Sequence, residues 1–235
     1  MSTKHEYIGT DLEAMSFAKN YNQWIVELYS PYLGETIAEI GAGTGNLTQL
    51  LSAKNSISNI TAFEPSVNMF NTLAQRLNDD DKIITINSAL TVKYGGQFNS
   101  ILYTNVLEHI EDDSAEVAKM HYSLSENGHA LIFVPALSWL YSDFDKSIGH
   151  FRRYHKGQLI QLFEDNGFDI ITVKYIDMLG ILPWYLNFVL LKRHLDDKAT
   201  KIYDRLVIPI IKKLDKITPM PIGKNLLLIA KKSKR

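Results

Sequence analysis

Apolar runs of five to eight residues recur along the chain, separated mostly by segments whose apolar residues repeat at helical spacing. Short continuous apolar runs predict buried strands, and helical spacing predicts the helices between them. Seven strands are predicted: "TIAEI" (36–40), "ITAFE" (60–64), "KIITIN" (82–87), "NSILYTN" (99–105), "HALIFVP" (129–135), "DIITVKYI" (169–176) and "NLLLIAKK" (225–232). Helices are predicted from about Asn46, from Pro65 to about Leu77, and over roughly 112–125 and 156–168. This alternation indicates an α/β fold built on a doubly wound, mostly parallel sheet.

Two further helical segments flank this pattern. Residues 11–33 carry apolar and aromatic side chains at helical spacing, and residues 178–222 read mostly helical between the last two strands. We therefore expect a single domain over 1–235. It would comprise an N-terminal helical cap (1–34), a core (35–177 and 223–235) and a helical insert (178–222). The most apolar part of the insert, "MLGILPWYLNFVLL", is too short and too interrupted for a membrane span.

Composition narrows the classes of function. Among the 235 residues 46% are hydrophobic and 22% charged, and the formal net charge of −1 argues against a nucleic-acid binder. The absence of cysteine removes disulfides, thiolate metal ligands and a cysteine nucleophile. The N-terminus lacks the apolar region of a signal peptide, so a cytoplasmic location is expected.

The turn after the first strand, "EIGAGTGN", predicts a ligand held against bare backbone. Glycines at 41, 43 and 45 permit positive φ, but Asn46 stands where a dinucleotide fingerprint needs its third glycine. Glu39 just before them suits a cationic ligand better than a pyrophosphate. Glu64, at the end of the second strand, can accept hydrogen bonds from both hydroxyls of a ribose. Ser88 and the Ala89 amide follow the third strand, near where an adenine edge would fall.

Three motifs in order, "EIGAGTG", "FEPS" and "NVLEHIEDD", resemble those of the class I S-adenosylmethionine-dependent methyltransferases over residues 35–176 and the last strand. The resemblance implies a Rossmann-like seven-stranded sheet whose antiparallel last strand lies between earlier ones. It also implies S-adenosylmethionine as cofactor and S-adenosylhomocysteine as product. The implied contacts are Glu39, Gly41, Ala42 and Gly43 to the methionine part, Glu64, Pro65 and Ser66 to the ribose, Ser88 and Ala89 to the adenine, and Asn105, Val106 and His109 below the sulfonium.

The methyl acceptor is predicted to be a small molecule, with oxygen favoured over nitrogen. The chain reads "TNVLEH" after the fourth strand, without the N/D-P-P-Y/F pattern of enzymes that methylate amino groups of adenine, cytosine or glutamine. Residues 135–159 follow the fifth strand and should hang over the cofactor pocket. Their segment 145–154 resembles a subgroup of these methyltransferases. The candidate acceptor contacts are Tyr7, Tyr21, Trp139, Tyr141, Arg152 and Arg153, which would suit an anionic, aromatic or lipophilic molecule.

Several alternatives stay open for these residues. His150 is the first candidate for a general base, ahead of His109, and Tyr154 is the third catalytic candidate. The two arginines could instead pair with Asp143, Asp145 or Glu164. No metal site is predicted, because no histidines and carboxylates stand at ligand spacing. The insert could be a plain helical cap, a surface for peripheral membrane contact or a homodimer interface. The rival functions are an N-methyltransferase of an amine or peptide terminus and a non-catalytic scaffold that binds the cofactor.

Overall fold

The computed structural model describes residues 18–193, 197–217 and 220–233 of the chain. All seven predicted strands are present: β1 (Thr36–Ile40), β2 (Asn59–Phe63), β3 (Ile83–Ile86), β4 (Phe98–Thr104), β5 (Leu124–Pro135), β6 (Phe168–Ile176) and β7 (Asn225–Lys232). They form one sheet in the order β3-β2-β1-β4-β5-β7-β6. β7 runs antiparallel between β5 and β6, and the other pairings are parallel. The mostly parallel, doubly wound sheet with an antiparallel last strand is therefore confirmed.

The helices of the described residues are α1 (Lys19–Tyr29), α2 (Asn46–Ser52), α3 (Val67–Leu77), α4 (Asp113–Ser123), α5 (Asp143–Ser147), α6 (Lys156–Asp165), α7 (Ile181–Trp184), α8 (Asp197–Ile202) and α9 (Ile208–Ile217). A π-helical stretch, Tyr185–Leu190, continues α7, and another, Tyr203–Val207, joins α8 to α9. Short 3-10 turns cover Ser30–Tyr32, Val92–Tyr94, Leu107–His109 and Ser138–Leu140. None of the helices in the described part of the chain is long and apolar enough to cross a bilayer.

Successive side chains of the central strands enter two separate cores, one on each face of the sheet. Ala38 and Ile40 of β1 pack with α4 and α6 through Val117 and Phe163. Ile37 joins the opposite core, which α1, α2 and α9 cover. Both faces are buried, as expected for a doubly wound sheet, so the strands read as continuous apolar runs rather than as alternating patterns.

Some predicted boundaries differ from the structure. Pro65 was expected in the first turn of a helix, but α3 begins at Val67 and Ser66 precedes it. The backbone N–H of Ser66 donates to Glu64, which delays the start of the helix. β5 begins at Leu124, earlier than predicted, and the short helix α5 was not predicted at all. The division of the chain into a cap, a core and an insert stays a prediction.

A capping contact between residues that are far apart in the sequence holds the helical run 197–217 against α1. Ala18 cannot cap α1 with its side chain, so the first N–H groups of that helix need other acceptors. The buried carboxylate of Asp204 accepts from the backbone N–H of Asn20 at 3.1 Å and of Tyr21 at 2.9 Å. Its negative charge also lies at the positive end of the helix dipole. Lys212 and Glu27 form a further ion pair at 2.6 Å.

Replacing Asp204 should test this capping contact. We expect Asp204→Ala to lower the free energy of unfolding by about 2 kcal/mol, because it leaves buried N–H groups of α1 without acceptors. Chemical denaturation measures the change. The control is Asp81→Ala, at an exposed aspartate, which should cost less than about 0.5 kcal/mol. Equal stabilities of the two variants would mean that Asp204 does not hold α1.

Candidate active site

One large cavity, about 960 Å³, lies at the edge of the sheet where the parallel strands end. The two central strands β1 and β4 are neighbours whose connections leave in opposite directions, and ligands of open α/β sheets bind at such a switch point. Because β7 is antiparallel, its first residue, Asn225, reaches the same edge. Residues of two helical runs after β6, 181–190 and 197–217, close the far side.

The turn from β1 into α2 forms one wall of the cavity. Gly41 has φ +68°, and a Cβ there would lie 2.5 Å from Cγ2 of Val106, so any larger residue would collide with the chain after β4. Gly45, with φ +82°, leads into α2 and packs against Leu73 and Leu77. The backbone here is bare because its neighbours leave no room for a side chain.

Glu64 joins this turn to the end of β2. Its Oε2 accepts from the backbone N–H of Gly43 and its Oε1 from that of Ser66, both at 2.8 Å. Burial raises the pKa of this carboxyl, and the two N–H groups partly offset that rise. Each oxygen keeps a second lone pair, so the carboxylate can still accept hydrogen bonds from a ligand.

Glu39 is the least satisfied acid of this wall. It is 4% exposed, and its Oε2 has no hydrogen-bond partner among the described residues. Burial raises the pKa of Glu39 to about 8, and the negative charge of Glu64 contributes to the rise. A buried carboxylate without a partner is costly, and a cation in the cavity would offset that cost. Two acids beside a bare backbone therefore fit a cationic nucleoside.

A cluster centred on Asp145 forms the opposite wall. Asp145 lies in the first turn of α5, where it completes a capping box with Ser142. Its Oδ1 lies 3.0 Å from Nδ1 of His150 and 2.9 Å from Nε of Arg153. Burial alone would raise the pKa of Asp145, but His150 and Arg153 hold it below its ordinary value. In the neutral ring, this pairing directs Nδ1–H of His150 toward Asp145 and leaves the lone pair on Nε2.

Glu108 and His109 lie beside this cluster and also face the cavity. Glu108 is fully buried, and neither of its carboxylate oxygens accepts a hydrogen bond from another described residue. Its Oε1 lies 3.7 Å from Nε2 of His150, and burial raises its pKa to about 7. The rings of His109 and His150 meet edge to face at 4.5 Å, and burial lowers the pKa of His109 to about 4.

No metal site was expected because the sequence shows no histidines and carboxylates at ligand spacing, but such side chains meet in the folded protein. Glu108, His109 and His150 bring ligand atoms within 4.8 Å of one another and are the one such group in the part of the chain that the structure describes. Their spacing in sequence hid the cluster, because α5 and the turn after it return His150 to the end of β4. The three could hold a divalent cation.

Comparisons with known proteins agree with this geometry. Residues 16–173 match the family model described as a methyltransferase domain, which spans more than half of the chain. The chain belongs to the class I S-adenosylmethionine-dependent methyltransferases. S-Adenosylmethionine is its cofactor.

Similar sequences and similar solved structures both support this assignment. An uncharacterized methyltransferase of Bacillus mycoides is 26% identical over 179 residues, covering 69% of this chain and 82% of the relative. A methyltransferase structure from Archaeoglobus fulgidus superposes with a TM-score of 0.62 at 16% identity, covering 91% of this chain and 94% of the other. A geranyl diphosphate methyltransferase in complex with S-adenosylmethionine gives 0.64 at 13%, covering 91% and 85%. At these identities the two structures show the shared fold.

The methyltransferase brings most of the predicted cofactor contacts to the cavity. Its lining includes Glu39, Gly41, Ala42, Gly43, Glu64, Pro65, Asn105 and Val106. Ser88 and Ala89 are not part of the lining, and the Ser88 hydroxyl donates to the carbonyl of Ala89 at 2.8 Å. Asn105 takes φ +53° after β4, a conformation that asparagine tolerates better than most residues. The assignment of these residues to the cofactor stays a prediction.

The predicted catalytic and acceptor residues divide between the cavity and the surface. His150, His109, Arg153 and Tyr21 line the cavity. Trp139 is half exposed and packs on Tyr185, while the hydroxyl of Tyr141 donates to the carbonyl of His150. Neither lines the cavity, and Tyr7 lies outside the described residues.

Arg152 and Tyr154 have structural partners away from the cavity. Arg152 pairs with Asp113 at 2.5 Å and donates to the carbonyl of Glu111. The buried hydroxyl of Tyr154 also donates to Asp113, at 2.8 Å, and sits under the 3-10 turn after β4. The pairing of both arginines with acids matches the alternative left open for them, although the partner of Arg152 is Asp113 rather than a residue of its own segment.

Sequence reasoning overlooked several residues of the site. Glu108 stands inside the motif "NVLEHIEDD", but nothing in the sequence indicates that it is buried beside His150. Lys224 pairs with Asp177 at 3.2 Å and lies over the ring of Trp184. The guanidinium of Arg153 also lies over that ring, at 4.5 Å. The apolar run around Trp184 was the available signal, because an aromatic ring among basic residues favours cation–π contacts.

If Glu39 contacts the cofactor, as predicted, its raised pKa should make cofactor affinity depend on pH. Below about pH 8 the carboxyl is mostly neutral, and only the ionised form attracts a cation. We expect the affinity for S-adenosylmethionine to rise roughly tenfold between about pH 6.5 and about pH 8.5, as titration calorimetry would measure. The affinity of Glu39→Gln should be lower at the upper pH and nearly independent of pH. A wild-type affinity that follows the same curve as Glu39→Gln would contradict this role.

The same substitution should have the opposite effect on the unliganded protein. A carboxyl whose pKa is raised on folding destabilises the native state as pH rises from its ordinary range toward about 8. Glu39→Gln should therefore raise the melting temperature of the unliganded protein at about pH 8.5. The control is Glu35→Gln, at an exposed glutamate just before β1, which should change neither quantity.

Proposed function

We propose that this methyltransferase transfers a methyl group from S-adenosylmethionine to the oxygen of a small-molecule acceptor. His150 carries the oxygen assignment. Its ring lines the cavity, its Nδ1 is held by Asp145 at 3.0 Å, and its Nε2 keeps a lone pair. A hydroxyl acceptor needs a group that takes its proton, and His150 has the placement and the tautomer for that task.

The cofactor supplies an electrophilic methyl group on a positively charged sulfur. Glu39 and Glu64 would hold its polar ends, and the bare turn at Gly41 admits it close to the main chain. His150 would take the proton of the acceptor hydroxyl on Nε2 as the oxygen bonds to the methyl carbon, and the electrons of the broken carbon–sulfur bond stay on sulfur. Asp145 is a positioning residue, because it orients His150 without facing the reacting atoms itself.

The rest of the cavity supports an acceptor with an apolar body and an anionic group. Phe144, Ile148, Pro183, Trp184 and Phe188 supply the apolar wall. Basic side chains line the same space, namely Arg153, Arg193 and Lys224. Arginine and lysine bind carboxylate and phosphate groups, so an acid or a phosphate ester fits this composition.

Glu108 favours the second candidate function, methylation of an amine. Its carboxylate is buried at the cavity, and no other described residue donates a hydrogen bond to it. An ammonium group would satisfy it. A third candidate, a scaffold that binds the cofactor without turnover, is separated from both by incubation with deuteromethyl-labelled cofactor and a small-molecule extract. Mass spectrometry and NMR of the labelled product would identify the methylated atom, and a scaffold would give no labelled product.

Substitution of His150 tests the proton-accepting role. With the labelled acceptor in hand, we expect His150→Ala to lower kcat by about 100-fold or more, because the proton loses its acceptor. The affinity for S-adenosylhomocysteine should stay unchanged. The matched control is His155→Ala, an exposed histidine bonded to Ser138, which should keep wild-type turnover. Assays run in a chelator keep a metal from substituting for the base. Wild-type kcat in His150→Ala would remove His150 from the reaction.

Substitution of Glu108 separates an oxygen acceptor from an amine. For a neutral hydroxyl, Glu108→Gln should leave the acceptor KM within about threefold of wild type, because no charged contact is lost. For an ammonium acceptor, the same change should raise KM by roughly 10- to 100-fold through loss of a charge-assisted hydrogen bond. Steady-state kinetics with the identified acceptor decide between the two. A rise in the second range would replace the oxygen assignment by the amine.

A further inference from the structure

The helical run 197–217 carries an apolar stripe that faces away from the protein. The stripe consists of Ile202, Leu206, Ile210, Leu214 and Ile217, which are between 41% and 78% exposed. They recur every three or four residues and therefore lie on one face of the helix. We call these five residues the outer stripe. Most other exposed helix faces are polar, so a continuous aliphatic stripe indicates a surface that something covers.

The outer stripe is separate from the face that packs on the protein. Ile208 and Ile211 are buried in the core beneath the sheet, and Asp204 and Lys212 make the contacts with α1. These inward residues alternate with the outer stripe along the run. The helix is thus already anchored, and it exposes a second apolar face that its own fold does not use.

The helical run 181–190, which precedes it, also has one apolar face that points inward and another that is exposed. Trp184 and Phe188 point inward and line the cavity, whereas Leu182, Leu186 and Leu190 are exposed at a spacing of four residues. Tyr185 is also exposed and packs on the half-exposed ring of Trp139. Amphipathic aromatic rings favour the boundary between an apolar phase and water.

The charged residues beside the outer stripe indicate which kind of partner this surface binds. Among the charged side chains described on 198–217, every exposed one is basic: Lys198, Lys201, Arg205 and Lys213. The two acids whose side chains are described on 198–217 point inward, since Asp204 caps α1 and Asp215 pairs with Lys174 at 3.0 Å. Two copies of such a basic face would repel each other, which disfavours self-association through it. An anionic bilayer surface complements both the basic and the apolar residues.

We propose that residues 181–193 and 197–217 lie on the surface of an anionic lipid bilayer, with the outer stripe and Leu182, Leu186 and Leu190 entering its interfacial layer. This is a contact in the plane of the membrane, in keeping with described helices that are too short or too polar to cross it. The inner faces of the same two runs line the cavity through Trp184, Phe188 and Tyr203. An amphiphilic acceptor for the proposed methyl transfer would then meet the cavity beside the bilayer; this consequence alone rests on the proposed function.

Vesicle co-sedimentation tests the surface without cofactor or acceptor. We expect the protein to bind vesicles of phosphatidylcholine with about one quarter phosphatidylglycerol at least tenfold more tightly than pure phosphatidylcholine vesicles. Binding should weaken when salt rises from about 0.1 M to about 0.5 M, because the ions screen the basic residues. Leu206→Gln combined with Ile210→Gln should lose at least tenfold in affinity. Arg205→Gln should lose about fivefold at the lower salt.

Matched controls lie at the opposite edge of the sheet. Ile84→Gln combined with Val92→Gln removes two equally exposed apolar residues, and Lys93→Gln removes an exposed basic one. Both should bind vesicles as the wild type does. Affinity for S-adenosylhomocysteine verifies that each variant is folded, and Arg205→Gln provides the test if the apolar double variant is not.

Three results would overturn the proposal. One is wild-type affinity for vesicles in the folded double variant, Leu206→Gln combined with Ile210→Gln. If the double variant does not fold, wild-type affinity in Arg205→Gln is the corresponding result. Another is equal losses in the stripe variants and their controls. The third is a dimer in sedimentation equilibrium that the double variant abolishes, because it would assign the outer stripe to a second copy of the chain. Since the assay contains no cofactor, failure of the methyl-transfer proposal would leave its result unaffected.

Discussion

The burial of carboxylates at one edge of the sheet is the constraint on which the site depends. Glu39 lies in β1, Glu64 follows the neighbouring strand β2, and both face the same cavity, so the charge of Glu64 adds to the cost of ionising the buried Glu39. Glu64 relieves part of that cost through two backbone N–H groups, whereas Glu39 keeps a buried oxygen without a partner. A cationic ligand in the cavity would offset this cost. If Glu39 contacts the cofactor, as predicted, stability of the unliganded protein and affinity for the cofactor oppose each other at this residue.

The facing wall is organised differently, because its charges are already compensated within the protein. Asp145 is held by Ser142 in the capping box of α5 and in turn holds His150 and Arg153. A five-residue helix is marginal by itself, and these contacts provide the tertiary support that fixes it. His150 is thereby oriented before any ligand enters, as the proposed role of proton acceptor requires. The wall that contains Glu39 therefore lacks a compensating positive charge, whereas the wall that contains Asp145 presents His150 in a fixed orientation.

The sequence predicted what depends on local pattern and missed what depends on distant contacts. All seven strands followed from apolar runs, and Glu64 could be placed because it comes directly after β2, at the cavity edge. The capping of α1 by Asp204 joins residues 183 positions apart, and no local signal marks it. The cluster of Glu108 with His150 likewise needs the path of α5, a helix too short for periodicity to reveal. Tyr154 is a predicted catalytic residue, and the sequence did not indicate that its hydroxyl donates to Asp113.

The described helices between β6 and β7 face the cavity on one side and solvent on the other. Their inner faces carry the ion pairs and aromatic rings that close the cavity, and their outer faces carry aliphatic and basic side chains. A helix that only roofed a cavity would gain nothing from an apolar outer stripe, and exposing one favours aggregation. The exposure of the outer stripe therefore supports the proposed contact with a bilayer. Since the two faces belong to the same helices, a bilayer that covers the outer stripe would place the cavity beside the membrane surface, and an amphiphilic acceptor would reach the cavity from there.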